Sequence, residues 1–275
     1  MKTHQIVKVL EDSKIQNASL WIAEAEFGFS HLKDPIISLS PGSDILEVGS
    51  GSGILLSMLI EEYPKHNFTG IEPLGGGFSN LRELNSAVRD VGAQVSIEGY
   101  EQHQAKYDLI FCVNVFEHVK DWQHFLGWAS ESLKEGGVFL VLCPNYGFPY
   151  ESHFKIPVVL NKQLTFRLFK RHILRFERDN QCAGLWDSLN FVKKSEVARV
   201  CQEKRSQLGF QMHDDVSIID HMIRRASADP EFRKRQSMLG HIATALKAVG
   251  ILALIKKFPN FLPYMKLAFR KENGL

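Results

Sequence analysis

Residues 44–53, DILEVGSGSG, concentrate the chemistry-bearing positions of this 275-residue chain. Ile45, Leu46 and Val48 enclose Glu47 and lead into Gly49, Ser50, Gly51 and Gly53, and Ile54, Leu55, Met58 and Leu59 follow at helical spacing. The pattern predicts a buried strand turning sharply into a helix, with glycines that let a ligand lie against bare backbone. A dinucleotide site carries G-x-G-x-x-G, with a pyrophosphate on the helix N-terminus. Here the third glycine comes one residue early, and Glu47 stands two residues before the first. A diphosphate is repelled by that carboxylate; a ligand with an ammonium or sulfonium group is not. About 20 residues on, NFTGIEP (67–73) reads as a second strand ending at Glu72. Nucleotide-binding α/β domains place an acid there against the ribose hydroxyls. A solvent-exposed strand-end glutamate is the plain alternative.

Two further blocks complete the series. YDLIFCVNVFEHVKDW (107–122) reads as strand, loop and helix start, and LKEGGVFLVLCPN (133–145) as helix end, Gly-Gly turn and buried strand. Together and in this order, the four blocks resemble the class I S-adenosylmethionine (SAM) methyltransferases of the small-molecule type, the group containing ubiquinone-pathway O-methyltransferases. The first block is similar to their E/D-x-G-x-G-x-G motif, and the resemblance spans roughly residues 40–215. It implies SAM as cofactor. Glu47 then orients the turn or reaches the methionine ammonium, and Gly49, Ser50, Gly51 and Gly53 bring backbone to the cofactor. Glu72 takes the ribose hydroxyls, and Ile71, Pro73 and Leu74 flank the nucleoside. Asn114 faces the methionine portion through backbone or amide. For the acid that the family sets against adenine, Glu101 is the first choice and Tyr100 the second. The triple glycine at 75–77 departs from the family pattern.

Methyl transfer from a sulfonium is an in-line displacement, in which alignment supplies about 7–11 kcal/mol and a base a further factor of roughly 10²–10⁴ for a hydroxyl nucleophile. Histidine has the proton affinity for that role. His118 lies in a Phe-Glu-His-Val run shared with the ubiquinone-type enzymes, and His153 in the proline- and aromatic-rich loop 143–157. The expected catalytic set is His153 as leading base, His118 as second, and Tyr146 and Glu151, with Tyr150, shaping the acceptor site. Against it, His118 serves simply as a helix start, or the loop as a packed cover with His153 bonded to a carbonyl. Glu117 is a structural or metal-contacting acid. No second or third ligand stands beside it in the chain, so no metal is expected.

The elements that must position these groups alternate. Strands are predicted near 44–48, 67–71, 93–97, 107–113 and 137–143, with helices near 53–63, 78–90 and 121–134, the last capped by Asp121. Such alternation predicts an α/β fold with a doubly wound, mainly parallel sheet, and the resemblance implies its seven-stranded, Rossmann-like methyltransferase form with helical lid insertions. The expected division is an N-terminal helical cap (1–43), a SAM-binding core (44–145), a substrate loop and basic lid helix (146–187), a core continuation (188–216), a helical insertion (217–258), and a final strand and tail (259–275). The last strand is placed at 262–271, and the sixth follows Gly209-Phe210.

Bulk properties bound the partners. Net charge is +2, with 44% hydrophobic and 23% charged residues, ordinary for a globular protein and not basic enough for a dedicated nucleic-acid binder. Cys112, Cys143, Cys182 and Cys201 lack metal-ligand spacing and fit a reduced, cytoplasmic setting. No apolar run of transmembrane length and no signal-like leader is present, so a cytoplasmic protein is expected. The basic helix 161–178 and the apolar stretch 242–255 leave room for an anionic or lipid-linked acceptor and for peripheral membrane contact. The main reading is methyl transfer to an oxygen of a small-molecule or lipid-linked acceptor. Its alternatives are an NAD(P)-dependent oxidoreductase and a non-catalytic SAM-fold binding protein.

Overall fold

The computed structural model describes residues 4–12, 15, 18–74, 82–228 and 257–272. The apolar stretch 242–255 and the glycines 75–77 lie outside them. A seven-stranded sheet forms the centre, built from β1 (Asp44–Val48), β2 (Asn67–Ile71), β3 (Val95–Ser96), β4 (Tyr107–Val113), β5 (Leu133–Pro144), β8 (Phe210–Asp214) and β9 (Tyr264–Lys271). Their order is β3-β2-β1-β4-β5-β9-β8. Neighbouring strands run parallel from β3 to β5, and β9 runs antiparallel to both β5 and β8. A two-stranded hairpin, β6 (Tyr150–Glu151) and β7 (Ile156–Pro157), stands apart from the sheet.

Strand parity divides the core. Ile45, Leu109, Phe111, Leu140 and Leu142 pack toward α1 (Gln5–Asp12), α2 (Ala18–Ile37) and α3 (Ile54–Glu62). Leu46, Val48, Ile110, Cys112, Phe139 and Cys143 face the other way, toward α5 (Trp122–Ser132) and α8 (Lys194–Glu203). Alternate side chains on a strand point to opposite faces, so a sheet clad on both sides reads as a nearly continuous apolar run. All four cysteines are buried free thiols.

Several boundaries sharpen. The predicted strand 93–97 contracts to two paired residues, and β5 begins four residues earlier than expected, its Leu133 pairing with Tyr107 across a register shift. Asp121 caps α5 as expected, its Oδ1 accepting the His124 N–H at 3.0 Å. The basic segment forms α6 (Lys162–Asp179), capped by Asn161. After the short helix α7 (Leu185–Ser188), α8 and α9 (Arg205–Leu208) precede β8. Helix α4 (Arg82–Val91) precedes β3, and α10 (Ile218–Ala228) leads out of β8.

The insertions rest on different supports. Phe154, Ile156, Ile173, Cys182, Leu185 and Trp186 form a separate cluster joining the hairpin, α6 and α7. Helix α10 instead buries Ile218 against the α1–α3 side of the core, with Ile219 and Ile223 against Leu262. Among the described residues no helix is long and apolar enough to cross a membrane.

Candidate active site

Strand β1 pairs with β2 on one side and β4 on the other, so successive crossovers leave in opposite directions. A crevice opens at the carboxyl ends of such strands. A cavity of about 980 Å³ lies there, walled by the glycine turn, Glu47, Glu72, Pro73, Gly99–Glu101, Asn114, His118 and Asp121, with Trp21 and Glu24 of α2 across from them.

The turn is shaped by close approach. Gly49 has φ +74°, and a Cβ there would stand 2.4 Å from Cγ2 of Val115. Its N–H donates to the carbonyl of Ile71 at 2.8 Å. Gly53, at φ +81°, begins α3 with no side-chain cap, which leaves the helix N-terminus open toward the turn. Glu72 closes the other side: its Oε2 accepts the Gly51 N–H at 3.0 Å and its Oε1 the Leu74 N–H at 2.8 Å. Burial raises its pKa, and the two N–H donors pull the other way. Glu47 is 4% exposed, and its Oε2 has no hydrogen-bond partner. Burial pushes its pKa up to about 8; a bond from Ser50 opposes the shift and Glu72 adds to it. An orphaned carboxyl oxygen against bare backbone fits a cofactor that brings an ammonium and a sulfonium, the charge a buried carboxylate lacks here.

The remaining expected cofactor residues separate. Glu101 lies on the wall in the short turn Tyr100–Gln102, largely exposed. Tyr100 also lines the cavity, but its ring packs on Phe125 and Trp128, and its hydroxyl meets His124 Nδ1 at 3.1 Å. Asn114, at φ +55°, has its side chain engaged: its Nδ2 donates to Glu24 and its Oδ1 accepts the Tyr264 hydroxyl at 2.6 Å. That leaves its backbone as the group offered to a cofactor.

On the opposite rim, the turn Phe116–His118 is pinned from afar. Asn190 donates its Nδ2 to the carbonyls of Phe116 and Val119 and its N–H to that of Glu117. His118 lines the cavity, whereas His153, Glu151 and Tyr146 stand behind that wall. The Ser188 hydroxyl donates to Leu185 O at 2.7 Å, so in its 2.8 Å contact with His118 Nδ1 it is the acceptor. Nδ1 therefore carries the hydrogen and Nε2 the lone pair. Burial, with the charges of His153 and Lys162 behind it, holds the His118 pKa well below the usual value.

Glu151 is fully buried and gathers four donors: the Tyr146 hydroxyl, the His153 and Phe154 N–H groups, and His153 Nδ1 at 2.6 Å. Burial alone would raise the Glu151 pKa, but His153 and these donors bring it below the ordinary value. Burial alone would lower the His153 pKa, but the Glu151 carboxylate lifts it above the ordinary value. Of the packed-cover alternative, the packing forms, with Tyr146 and Phe154 buried, but the partner of His153 is a carboxylate and not a carbonyl.

The expectation that Glu117 has no fellow ligands needs correction. Ligand atoms of Glu117, His118 and His153 lie within 4.8 Å of one another. Chain order hides this, because His153 arrives from the far end of the hairpin loop. Both Glu117 oxygens are buried without a hydrogen-bond partner, and burial pushes this carboxyl up to about 7. Three lone-pair donors facing one another can share a proton or hold a cation.

Other wall residues escaped the sequence reading. Trp21 and Glu24 had only helix-forming company, and Ser188 lies about 70 residues from the histidine it orients. Arg225 of α10 clasps Glu24 through two contacts at 3.1 and 3.3 Å and lies 4.7 Å from the Phe27 ring centroid.

A doubly wound sheet in this strand order, split beside a glycine turn with a nucleoside-type carboxylate, defines the class of SAM-dependent methyltransferases. The chain belongs to that family: residues 25–193 match the family model described as a methyltransferase domain. It is an enzyme using SAM, which removes the NAD(P) oxidoreductase and non-catalytic alternatives. An uncharacterised protein of Mycobacterium tuberculosis is 34% identical over 233 residues, covering 82% of this chain and 78% of its own. The ubiquinone biosynthesis O-methyltransferase of Hydrogenovibrio crunogenus is 29% identical over 154 residues, 51% of this chain and 63% of its own. Among solved structures, the phosphoethanolamine N-methyltransferase 2 of Haemonchus contortus in complex with SAM superposes with TM-score 0.52 at 12% identity, covering 98% of this chain and 60% of that one, a likeness of fold.

Proposed function

We propose that this methyltransferase transfers the methyl group to an oxygen of a small-molecule or lipid-linked acceptor, with the His118–His153–Glu151 group receiving the proton. The observation carrying this reading is the Glu151–His153 pair, set behind a cavity wall formed by a neutral His118. An oxygen nucleophile must lose a proton as the O–CH₃ bond forms and the CH₃–S bond breaks, and the sulfur leaves as neutral S-adenosylhomocysteine. His118 meets the acceptor at the wall. His153, made more basic by Glu151, is where the proton comes to rest. The O-methylating activity named for the Hydrogenovibrio relative agrees with an oxygen acceptor. In this reading Glu47 and the turn Gly49–Gly53 hold the methionine end of the cofactor, Glu72 and Pro73 the ribose, Glu101 the adenine edge, and the Asn114 backbone the methionine portion.

The test is turnover with a panel of phenolic, alcoholic and amine acceptors in the wild type and in His153→Ala and His118→Asn. Loss of turnover on hydroxyl acceptors with unchanged SAM affinity supports the assignment; methylation of amines alone, unaffected by either substitution, sinks it.

A second reading has one observation in its favour, the unpartnered Glu117 oxygens facing two histidines. A divalent cation held there would polarise the acceptor oxygen in place of a base. Dialysis against a chelator, followed by return of Mg²⁺, Mn²⁺ or Zn²⁺, separates the two readings by whether turnover disappears and recovers.

A further inference from the structure

Helix α6 turns Thr165, Ile173 and Glu177 inward. At about 100° per residue, Arg167, Leu168, Arg171, Leu174 and Arg175 fall on the opposite half, and all five are exposed. The acids of the helix do not offset them: Glu177 is buried, its Oε1 accepting the Trp186 N–H at 2.8 Å, and Asp179, at the last position of the helix, pairs with Arg178. Among the described residues none of Arg167, Arg171 and Arg175 has an ion-pair partner. The leucines among these cations are not tucked away. Leu168 is 59% and Leu174 49% exposed, and Leu160, just before the helix, is 85% exposed and held at φ +57°.

A merely solvated basic helix gains nothing by holding three leucines in water, and a merely apolar contact gains nothing from three arginines. Both together match a surface that is anionic at its face and hydrocarbon beneath. The helix also starts at the active-site rim, since Lys162 Nζ donates to the carbonyls of Asp187 and Leu189 on either side of the wall residue Ser188.

We propose that the outward half of α6, with Leu160, docks the enzyme on an anionic phospholipid bilayer. The arginines pair with lipid phosphates while the leucines enter the interface. That this brings the cavity to a lipid-borne acceptor rests on the reading above; the docking itself does not.

Sedimentation of the full chain with vesicles tests it, comparing pure phosphatidylcholine with phosphatidylcholine containing phosphatidylglycerol. The wild type is expected to pellet with the anionic vesicles alone and to be released by salt. Arg171→Gln with Arg175→Gln should lower partitioning about 25-fold, from about fivefold per basic side chain at an anionic surface. Arg171→Lys with Arg175→Lys should retain binding, and Leu168→Ser with Leu174→Ser should weaken it at every salt concentration. SAM-induced thermal stabilisation, measured on each variant, reports that the fold and cofactor site are intact. A wild type that ignores anionic vesicles, equal binding by the glutamine variant, or binding to a single-stranded oligonucleotide in place of vesicles would overturn the proposal. None of these results bears on methyl transfer, which the acceptor panel judges separately.

Discussion

The two rims of the cavity are built by different means. The cofactor rim is local: Glu47, the glycine turn and Glu72 lie within 26 consecutive residues on two paired strands. The opposite rim, the acceptor side in the proposed reading, is assembled from Glu24, His118 and Ser188 with Glu117, Glu151 and His153 behind them, held by long-range bonds from Asn190 and Arg225. Their buried carboxylates differ as well. Glu72 has two N–H donors and Glu151 has four donors, while Glu47 keeps one unpartnered oxygen and Glu117 two. A satisfied carboxylate fixes structure; an unsatisfied buried one is poised for a ligand or a proton. Each rim holds one of each kind, so architecture and chemistry are divided between neighbouring acids on both sides.

The largest effect that tests this division belongs to the glycine turn. Gly49→Ala places a methyl group 2.4 Å from Val115 Cγ2 at a φ of +74°. We expect cofactor affinity to fall at least about 100-fold by calorimetry, given a strain of roughly 1–3 kcal/mol plus the clash. Adding Val115→Ala should recover the clash portion alone. Next is Glu151→Gln, which takes away the charge that makes His153 basic. Turnover should drop by about 10²–10³-fold with SAM affinity within about twofold. Equal losses in both would erase the distinction between the rims.

Smaller still is Glu72→Ala. Losing a charged acceptor of two N–H groups should weaken SAM and S-adenosylhomocysteine alike, by roughly 1.5–3 kcal/mol. A change confined to turnover would show that Glu72 does not hold the cofactor.

The last and gentlest probe is pH. Glu47 has a folded pKa of about 8, raised from 4.5, so its contribution to stability is fully present below pH 4.5 and is lost as pH rises through about 8. Glu117, raised to about 7, behaves the same way over a narrower window. Thermal stabilisation by SAM should therefore grow between pH 5 and 9, as the cofactor's cationic groups compensate the emerging Glu47 charge. Turnover should also rise with pH through a value above 6.5, because His153, its pKa raised, must first release its proton. A turnover profile flat across that range would remove His153 as the base.

Legibility follows the same split. The parallel strands, the α5 cap and the position of β9 could be read because periodicity and capping are local signals, and the glycine turn shows itself through residue type alone. The acceptor rim could not be read as a set. Nothing in FEHV announces that Asn190 will pin its turn, and nothing near residue 24 announces Arg225. The Glu117–His118–His153 cluster was missed because chain order separates the third member from the first by 36 positions. Glu151 and His153 each stand out in the sequence, as acceptor-site shaper and base, but their pairing does not, although residues two apart at the end of a short strand can share one turn.

The hairpin-like arrival of β9 carries a consequence for biosynthesis. β9 lies between β5 and β8 and, among the described residues, is the one sheet neighbour of β8. While the ribosome still holds residues 264–271, β8 has nowhere to dock, and Tyr264 cannot yet brace Asn114 at the back of the cleft. The nascent polypeptide can order its first five strands early, yet it acquires a finished methyl-donor pocket only after the closing strand slots in.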